Sequence, residues 1–433
     1  MEHAETLLTF INKSPSCYHV VDNTVAELMG KGSHLLRESQ PWTLECGTQY
    51  VVARGDSSLI AFRMPKGTVK GFLIAAAHSD SPTFKVRESG EMASAGNCLR
   101  LSVEPYGGGI WRSWLDRPLS VAGRAVVRCG DKLETRLVDV KRPLLMIPSV
   151  AIHFDREVNK GTALNAAVDL LPLFANGKEP GAFRKLIAEE LDVTEEELLS
   201  TELFLYPYMQ GCRMGLNGEF LASPRLDDLQ CVYGCLQGYL QAEESDHVSV
   251  LAIFNNEEVG SGTRQGADST FLTDVLERIA ENLHMTAEEK QMAYANSFLV
   301  SADNAHAIHP AHPEYSDKTE APVLNGGIVL KYNANQRYTT DAVSSAVFTK
   351  ICADHDIPLQ RYSNRADLPG GSTLGNIAMA HLSIPAVDIG LPQLAMHSCC
   401  EMAGAEDTDL LVKAMTAYFG CRLQREADGS ITV

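Results

Sequence analysis

The sequence predicts an α/β protein, an open sheet interrupted by a β-rich insertion, and three observations lead there. Two runs read as strands buried on both faces: Phe72 to Ala77, which is continuously apolar, and Val248 to Phe254, which is apolar but for Ser249. Between them, from about Glu88 to Glu219, the chain changes to short β-like segments set among Gly- and Pro-rich turns. Beyond that stretch the α/β texture resumes, with helical periodicity alternating with apolar runs. At 433 residues the chain exceeds the size at which one hydrophobic core stops growing. Two domains are therefore expected: residues 1–88 joined with 220–433, and residues 89–219 inserted between them.

Residues 1 to about 35 read as two helices separated at Ser14-Pro15, the second stopped by Gly30. Tyr50 to Ala53 and Leu59 to Met64 read as strands about the turn Arg54-Gly55-Asp56. The run Phe72 to Ala77 follows Gly71 and ends at His78. Within the insertion, Leu99 to Val103 and Val121 to Val127 are β-like. In the charged stretch Lys178 to Glu197, Thr194 and Glu197 have capping-box spacing for one solvated helix. Ser223-Pro224 has the form of an N-cap followed by proline at the first helical position. It opens a helix on which Leu226, Leu229, Val232, Tyr233, Leu236 and Leu240 share a face. Val248 to Phe254 then runs into Asn255-Asn256-Glu257-Glu258, Phe298 to Ser301 into Asp303, and Ala386 to Ile389 towards His397.

Composition narrows the functional classes. With 45% hydrophobic and 21% charged residues, and no repeat or low-complexity tract, the chain reads as an ordinary globular protein. A net charge of −18 argues against a nucleic-acid partner, which needs a basic face. It leaves anionic substrates open, because a local cationic pocket can sit inside an acidic molecule. The first residues are acidic where a leader would be basic, and no apolar run reaches the length of a bilayer span. Eleven cysteines occur without a CxxC pair or a regular framework, which suits free thiols in a reducing compartment. A cytoplasmic protein without a membrane partner is expected.

The chemistry lies at the strand ends. His78 and Asp80, Glu257 and Glu258, and Asp303 stand where predicted strands stop; Asp227 falls in the first turn of a predicted helix, and His397 in a loop after the last strand. Open α/β sheets bind ligands outside the carboxyl ends of their strands, so these distant segments can converge. Two imidazoles with three or four carboxylates suit a pair of divalent ions such as zinc, cobalt or manganese. A carboxylate left off the metals provides the base that hydrolysis needs. Any one of these histidines alone would more often be structural, and adjacent glutamates are commonly a solvated pair. Several such strand endings together favour the metal reading.

Other motifs carry less. Gly260-Ser261-Gly262 with Gly266 misses the dinucleotide spacing by one, and two carboxylates stand just upstream. Gly107-Gly108-Gly109 lacks the lysine of a phosphate loop and reads as a turn, and no H-E-x-x-H occurs. Cys231 and Cys235 read as core residues, and Cys399 and Cys400 as free thiols near His397.

Five segments resemble the M18 family of metalloaminopeptidases, the aspartyl aminopeptidases, in the family's order and over essentially the whole chain. They are Ala77-His78-Ser79-Asp80-Ser81-Pro82, Ser223-Pro224-Arg225-Leu226-Asp227-Asp228, Asn255-Asn256-Glu257-Glu258-Val259-Gly260-Ser261, the run Ser301 to Pro310, and Met396-His397-Ser398. The resemblance implies an open mixed-sheet two-metal exopeptidase domain carrying an inserted β-rich dimerisation domain. It implies that His78, Asp227 and Asp303 hold one metal and that Asp227, Glu258 and His397 hold the other. Glu257 would be the general base and Asp80 the outer carboxylate that orients His78. The metals would polarise the scissile carbonyl and supply hydroxide near neutral pH.

The resemblance further implies a preference for N-terminal Asp or Glu in short peptides. Lys331 and Tyr338, in the run Leu330 to Tyr338, match the side-chain pocket, with His306 beside them, and His153 resembles a histidine inserted into a neighbouring subunit's site. A tetrahedral dodecamer built from dimers, with two zinc ions per subunit, is the implied assembly. Three departures bear on it. Ser79 and Asp228 stand where the family usually has Thr and Asn, and Ser398-Cys399-Cys400-Glu401 lacks the usual arginine. The ligands are untouched by these changes, and selectivity is what they bear on. The alternatives are a broader two-metal aminopeptidase, of glutamyl or leucyl type, and a non-catalytic cage that binds cargo or peptides.

Overall fold

The computed structural model describes residues 2–368 and 370–433. Two helices, α1 (Glu2–Lys13) and α2 (Cys17–Gly30), open the chain and part at Ser14-Pro15. Strands β1 (His34–Leu36), β2 (Gln49–Arg54), β3 (Ser58–Arg63) and β4 (Phe72–His78) follow. Next come β5 (Thr83–Ser94), β6 (Cys98–Tyr106), β7 (Leu119–Cys129), β8 (Lys132–Asp139) and β9 (Leu173–Asn176), then α3 (Ala182–Glu190) and β10 (Leu198–Pro207). Strands β11 (Cys212–Met214) and β12 (Phe220–Ser223) lead into α4 (Leu226–Gln241) and β13 (Val248–Phe254). Helices α5 (Phe271–Asn282) and α6 (Ala287–Ala295) precede β14 (Phe298–Ala302), β15 (Ala305–His306) and β16 (Ile328–Tyr332). The last third carries α7 (Ala342–Asp354), β17 (Leu359–Ser363), α8 (Leu374–His381), β18 (Ala386–Gly390), β19 (Pro392–Leu394), β20 (Glu401–Gly404) and α9 (Asp407–Gly420).

A nine-stranded mixed sheet, in the order β1-β2-β3-β13-β4-β14-β18-β16-β17, places β4 between β13 and β14, both parallel to it. Every residue of these three strands is buried, and successive side chains feed opposite cores. Leu73, Ala75 and Ala77 meet α1, α4, α7 and α9 on one side, while Phe72, Ile74 and Ala76 meet α5 and α8 on the other. Burying one large apolar side chain is worth roughly 1.5–3 kcal/mol, so charged groups are excluded from these runs, which short of their ends carry only Ser249 and Ser301 as polar residues, and appear where the strands end. Because β13, β4 and β14 are neighbours and parallel, their endings come to one edge of the sheet.

The second sheet, β8-β7-β10-β5-β6-β9, is antiparallel between all its neighbours. Its core of Phe84, Val86, Leu101, Val121, Leu203 and Leu205 packs with Phe183 and Ile187 of α3. Strand β5 begins at Thr83, so this sheet starts before residue 88. A third sheet, β11-β12-β20-β19-β15, joins the segment after β10 to the C-terminal part.

Two local expectations are corrected. Thr194 and Glu197 do exchange capping-box bonds, Glu197 N to Thr194 Oγ1 at 3.3 Å and Thr194 N to Glu197 Oε2 at 2.8 Å, but they close a turn into β10. The helix of that stretch is α3, which lies before them. Ser223 ends a strand instead of capping a helix; Arg225 is at the N-cap in a left-handed conformation, and Asp227 and Asp228 are non-helical. Among the described residues no helix is long and apolar enough to cross a membrane.

Candidate active site

His78 is the last residue of β4, the Glu257-Glu258 turn follows β13, and Asp303 follows β14. Close approach is needed at the third ending: a Cβ on Gly390 of β18 would lie 2.0 Å from the Asp303 carbonyl oxygen, so only glycine admits it. Asp227 enters from the mouth of α4, and His397 from the loop after β19 with φ of 66°. Ligand-capable atoms gather within 4.8 Å of one another in three overlapping groups. These are His78, Asp227, Asp228 and Asp303; His78, Glu257 and Glu258; and Asp227, Glu258 and His397.

The imidazoles are held by carbonyls. His78 Nδ1 lies 3.1 Å from the Asp80 main-chain oxygen, and His397 Nδ1 lies 3.0 Å from the Gly108 oxygen. A carbonyl can only accept, so both Nδ1 atoms carry the proton and both Nε2 atoms present a lone pair when the ring is neutral. Asp227 lies between these nitrogens, Oδ1 at 3.4 Å from His78 and Oδ2 at 3.3 Å from His397. Glu258 Oε2 is 3.5 Å from His397 Nε2, and Asp303 Oδ1 is 4.0 Å from His78 Nε2. Lone pairs facing carboxylates at these distances repel, so the cluster is stable only with positive charge within it.

The titration of the groups says the same. Burial opposes charge on His78, yet Asp228, Asp227 and Asp80 raise its pKa well above the usual value. For His397, burial is outweighed by Asp227 and Glu258, and its pKa is pushed up to about 10. Glu258 is raised well above the carboxylate range by burial and by Asp227. Asp227 Oδ1 and Glu258 Oε1 are buried with no hydrogen-bond partner. Unpartnered buried carboxylate oxygens grouped with free Nε2 atoms are what a divalent cation requires, so this donor set fits the metal reading.

Asp80 has contacts beyond the one expected with His78. Its carboxylate is 3.5 Å from His78 Nδ1, further than its own carbonyl. The carboxylate also accepts the Glu257 N–H at 3.1 Å, the Glu258 N–H at 3.2 Å and the Tyr106 hydroxyl at 2.7 Å. It thus anchors the turn that carries both glutamates. Glu401 went unnoticed as a functional residue in the sequence. Its buried carboxylate accepts the main-chain N–H of Asp227 at 3.0 Å and of His397 at 2.7 Å, tying two distant segments together. Asp228, also missed, accepts the His78 N–H at 3.2 Å. For Asp228 its adjacency to Asp227 was the available signal; Glu401 had none.

Lys331 is 3% exposed, with Nζ 3.7 Å from Asp303 Oδ2 and 5.6 Å from the centre of the Tyr338 ring. Burial disfavours its charge, but Asp303 overrides this and raises the pKa. Tyr338 and His306 both meet Tyr362, with ring centres at 6.4 and 5.9 Å. His153 lies apart, in an exposed loop with Val150, Ile152 and Phe154, which are 60%, 48% and 87% exposed. The structure therefore brings together all the predicted ligands, Glu257, Asp80 and the Lys331 group, and leaves His153 outside them.

The family described as Aminopeptidase I zinc metalloprotease (M18) matches residues 10–419. The chain belongs to the M18 family. An M18 relative from Clostridium novyi (strain NT), named "Probable M18 family aminopeptidase 2", is 44% identical over 434 residues, spanning 98% of each chain. A namesake from Ectopseudomonas mendocina (strain ymp) is 39% identical and covers 96% of this chain and 98% of its own. The structure is similar to a chain in the cryo-EM structure of the Ape4 and Nbr1 complex. That match has a TM-score of 0.92 and 36% identity, over 96% of this chain and 85% of that one. It is also similar to the S. cerevisiae mApe1 dodecamer structure, with TM-score 0.85, 28% identity and 96% of each chain covered. The chain is accordingly an M18 metalloaminopeptidase, of a family described as using zinc.

Proposed function

We propose that this M18 metalloaminopeptidase removes single acidic residues, Asp or Glu, from the N-termini of short peptides, using two divalent ions held by one ligand cluster. The observation that carries the two-ion reading is Asp227, whose two oxygens each face a different imidazole. His78, Asp227 and Asp303 would hold one ion, and Asp227, Glu258 and His397 the other; zinc suits this set, as do cobalt and manganese. When bound, such ions polarise the scissile carbonyl and lower the pKa of water. Glu257, pushed up to about 7 chiefly by burial, is matched to accept the proton of the attacking water near neutral pH and return it to the leaving amine. Asp80 holds that glutamate's turn in place.

Lys331 supports acidic selectivity, since a buried ammonium beside the cluster attracts a substrate carboxylate. Its contact with Asp303 favours a second reading, in which that charge is already neutralised and the pocket accepts neutral residues as well. A panel of aminoacyl substrates separates the two. Acidic substrates should be cleaved best, a strong chelator should abolish all cleavage, and Lys331→Ala should lower kcat/KM for Asp and Glu at least about tenfold more than for Leu. That ratio corresponds to about 1.4 kcal/mol of differential binding. Equal losses would reject the pocket assignment and leave the broader specificity.

The loop around His153 supports an oligomeric reading. Exposed Val150, Ile152 and Phe154 form an apolar surface suited to burial against another subunit, and the structurally similar mApe1 is a dodecamer. We propose a homo-oligomer, a tetrahedral dodecamer of dimers, in which the insertion dimerises and His153 reaches a neighbouring site. Eleven free thiols suit a reducing compartment such as the cytoplasm.

A further inference from the structure

The segment Tyr106–Ile110 leaves the end of β6, in the six-stranded sheet, and passes along the ligand cluster of the nine-stranded one. Tyr106 Oη donates to Asp80 Oδ2 at 2.7 Å and accepts from Asn256 Nδ2 at 2.9 Å. It therefore touches both the carboxylate that anchors the Glu257-Glu258 turn and the residue just before that turn. Gly107 has φ of 71° and sits where a Cβ would be 3.1 Å from Glu258 Cβ. The Gly108 carbonyl accepts His397 Nδ1–H at 3.0 Å, and the Ile110 N–H donates to the His397 carbonyl at 2.9 Å. The three consecutive glycines are thus not merely a turn: side chains at the first would crowd Glu258, and the second supplies the group that fixes the His397 tautomer.

We propose that Tyr106–Ile110 is a positioning strap by which the six-stranded sheet sets the aim of His397 and Glu258 and the placement of the Glu257 turn. This rests on the reading of His397 and Glu258 as ligands and of Glu257 as the base. Its physical basis is that an imidazole is a good ligand only when its other nitrogen is held, and a base works only at a fixed distance from the water it deprotonates. Four polar links made by one segment hold both conditions at once. The strap also joins the sheet that would carry subunit contacts to the chemistry, so changes in one are felt at the other.

Tyr106 also packs edge-on against Phe204, with ring centres 5.5 Å apart, so the test must separate positioning from packing. Tyr106→Phe keeps the ring and removes only the hydroxyl. In the full-length, zinc-loaded protein it should lower kcat about tenfold, the lower end of what outer partners of metal ligands contribute, with KM and melting temperature little changed. Gly107→Ala should weaken zinc binding about tenfold in equilibrium dialysis, again by the loss typical of such partners, and alter the visible absorption spectrum of the cobalt-substituted protein. A zinc-binding, active parent matched by both variants in kcat, KM, zinc affinity and cobalt spectrum would overturn the strap alone. So would variants that melt earlier but otherwise match the parent while folded. A parent that binds no zinc overturns the ligand reading and the strap with it.

Discussion

Glu257→Gln should lower kcat by on the order of 10³-fold, within the range a positioned general base contributes, while the protein keeps its metal. The amide is nearly the same shape as the carboxylate, and the residue's N–H still donates to Asp80 at 3.1 Å, so the turn stays in place. What is lost is the ability to accept a proton. Burial, together with the neighbouring Asp303 and Asp80, holds the Glu257 pKa at about 7 against the pull of His78. Steady-state kinetics beside metal analysis of the same sample checks this. Turnover like that of the parent would remove Glu257 from the role. Glu258→Gln provides the contrast: its Oε2 faces His397 at 3.5 Å, so that change should show first as lost metal.

Asp227→Asn should have the second large effect, because both halves of the cluster share this carboxylate. Zinc affinity should fall by more than the roughly 10–100-fold typical of outer partners, and activity should fall with occupancy. The same change should alter pH-dependent stability in the presence of chelator. In the metal-free parent the His397 pKa is raised to about 10, mainly by Asp227 and Glu258 acting against burial. A group whose pKa is higher folded than unfolded stabilises fully below its unfolded value, about 6.5, and stops doing so as pH rises through about 10. Chelator-treated parent should therefore lose stability between these pH values, and Asp227→Asn should lose less. At neutral pH the variant should be less stable by on the order of 3 kcal/mol, as expected when a buried pair loses one partner. Denaturant unfolding at pH 7 and pH 10 measures both. An unchanged pH dependence would place the origin of the His397 shift elsewhere.

Much of this site was legible in the chain because the strands that carry it are buried on both faces. Phe72 to Ala77 and Val248 to Phe254 admit no charge, so the first polar residues after each run had to lie at the sheet edge. His78, Glu257 and Glu258 could be placed in that way. The start of α4 could not. Ser223-Pro224 has the local signature of a helix opening, but Arg225 adopts a left-handed conformation, and Asp227 is held by tertiary bonds from Glu401 and Ser81. Those partners are remote in sequence, so local propensity carries no trace of them. Thr194 and Glu197 show the reverse case: the box forms locally, but the neighbouring strand β7 claims the next residues. Glu401 was hidden for a related reason. It acts through two main-chain N–H groups, and main-chain partners have no sequence signature.

The order in which the cluster is drawn from the chain bears on how the protein is made. His78 is translated before β13 and β14, which arrive only after the whole six-stranded sheet, and His397 and Glu401 follow later still. A nascent chain therefore lacks the complete cluster until the segment carrying His397 and Glu401 has emerged.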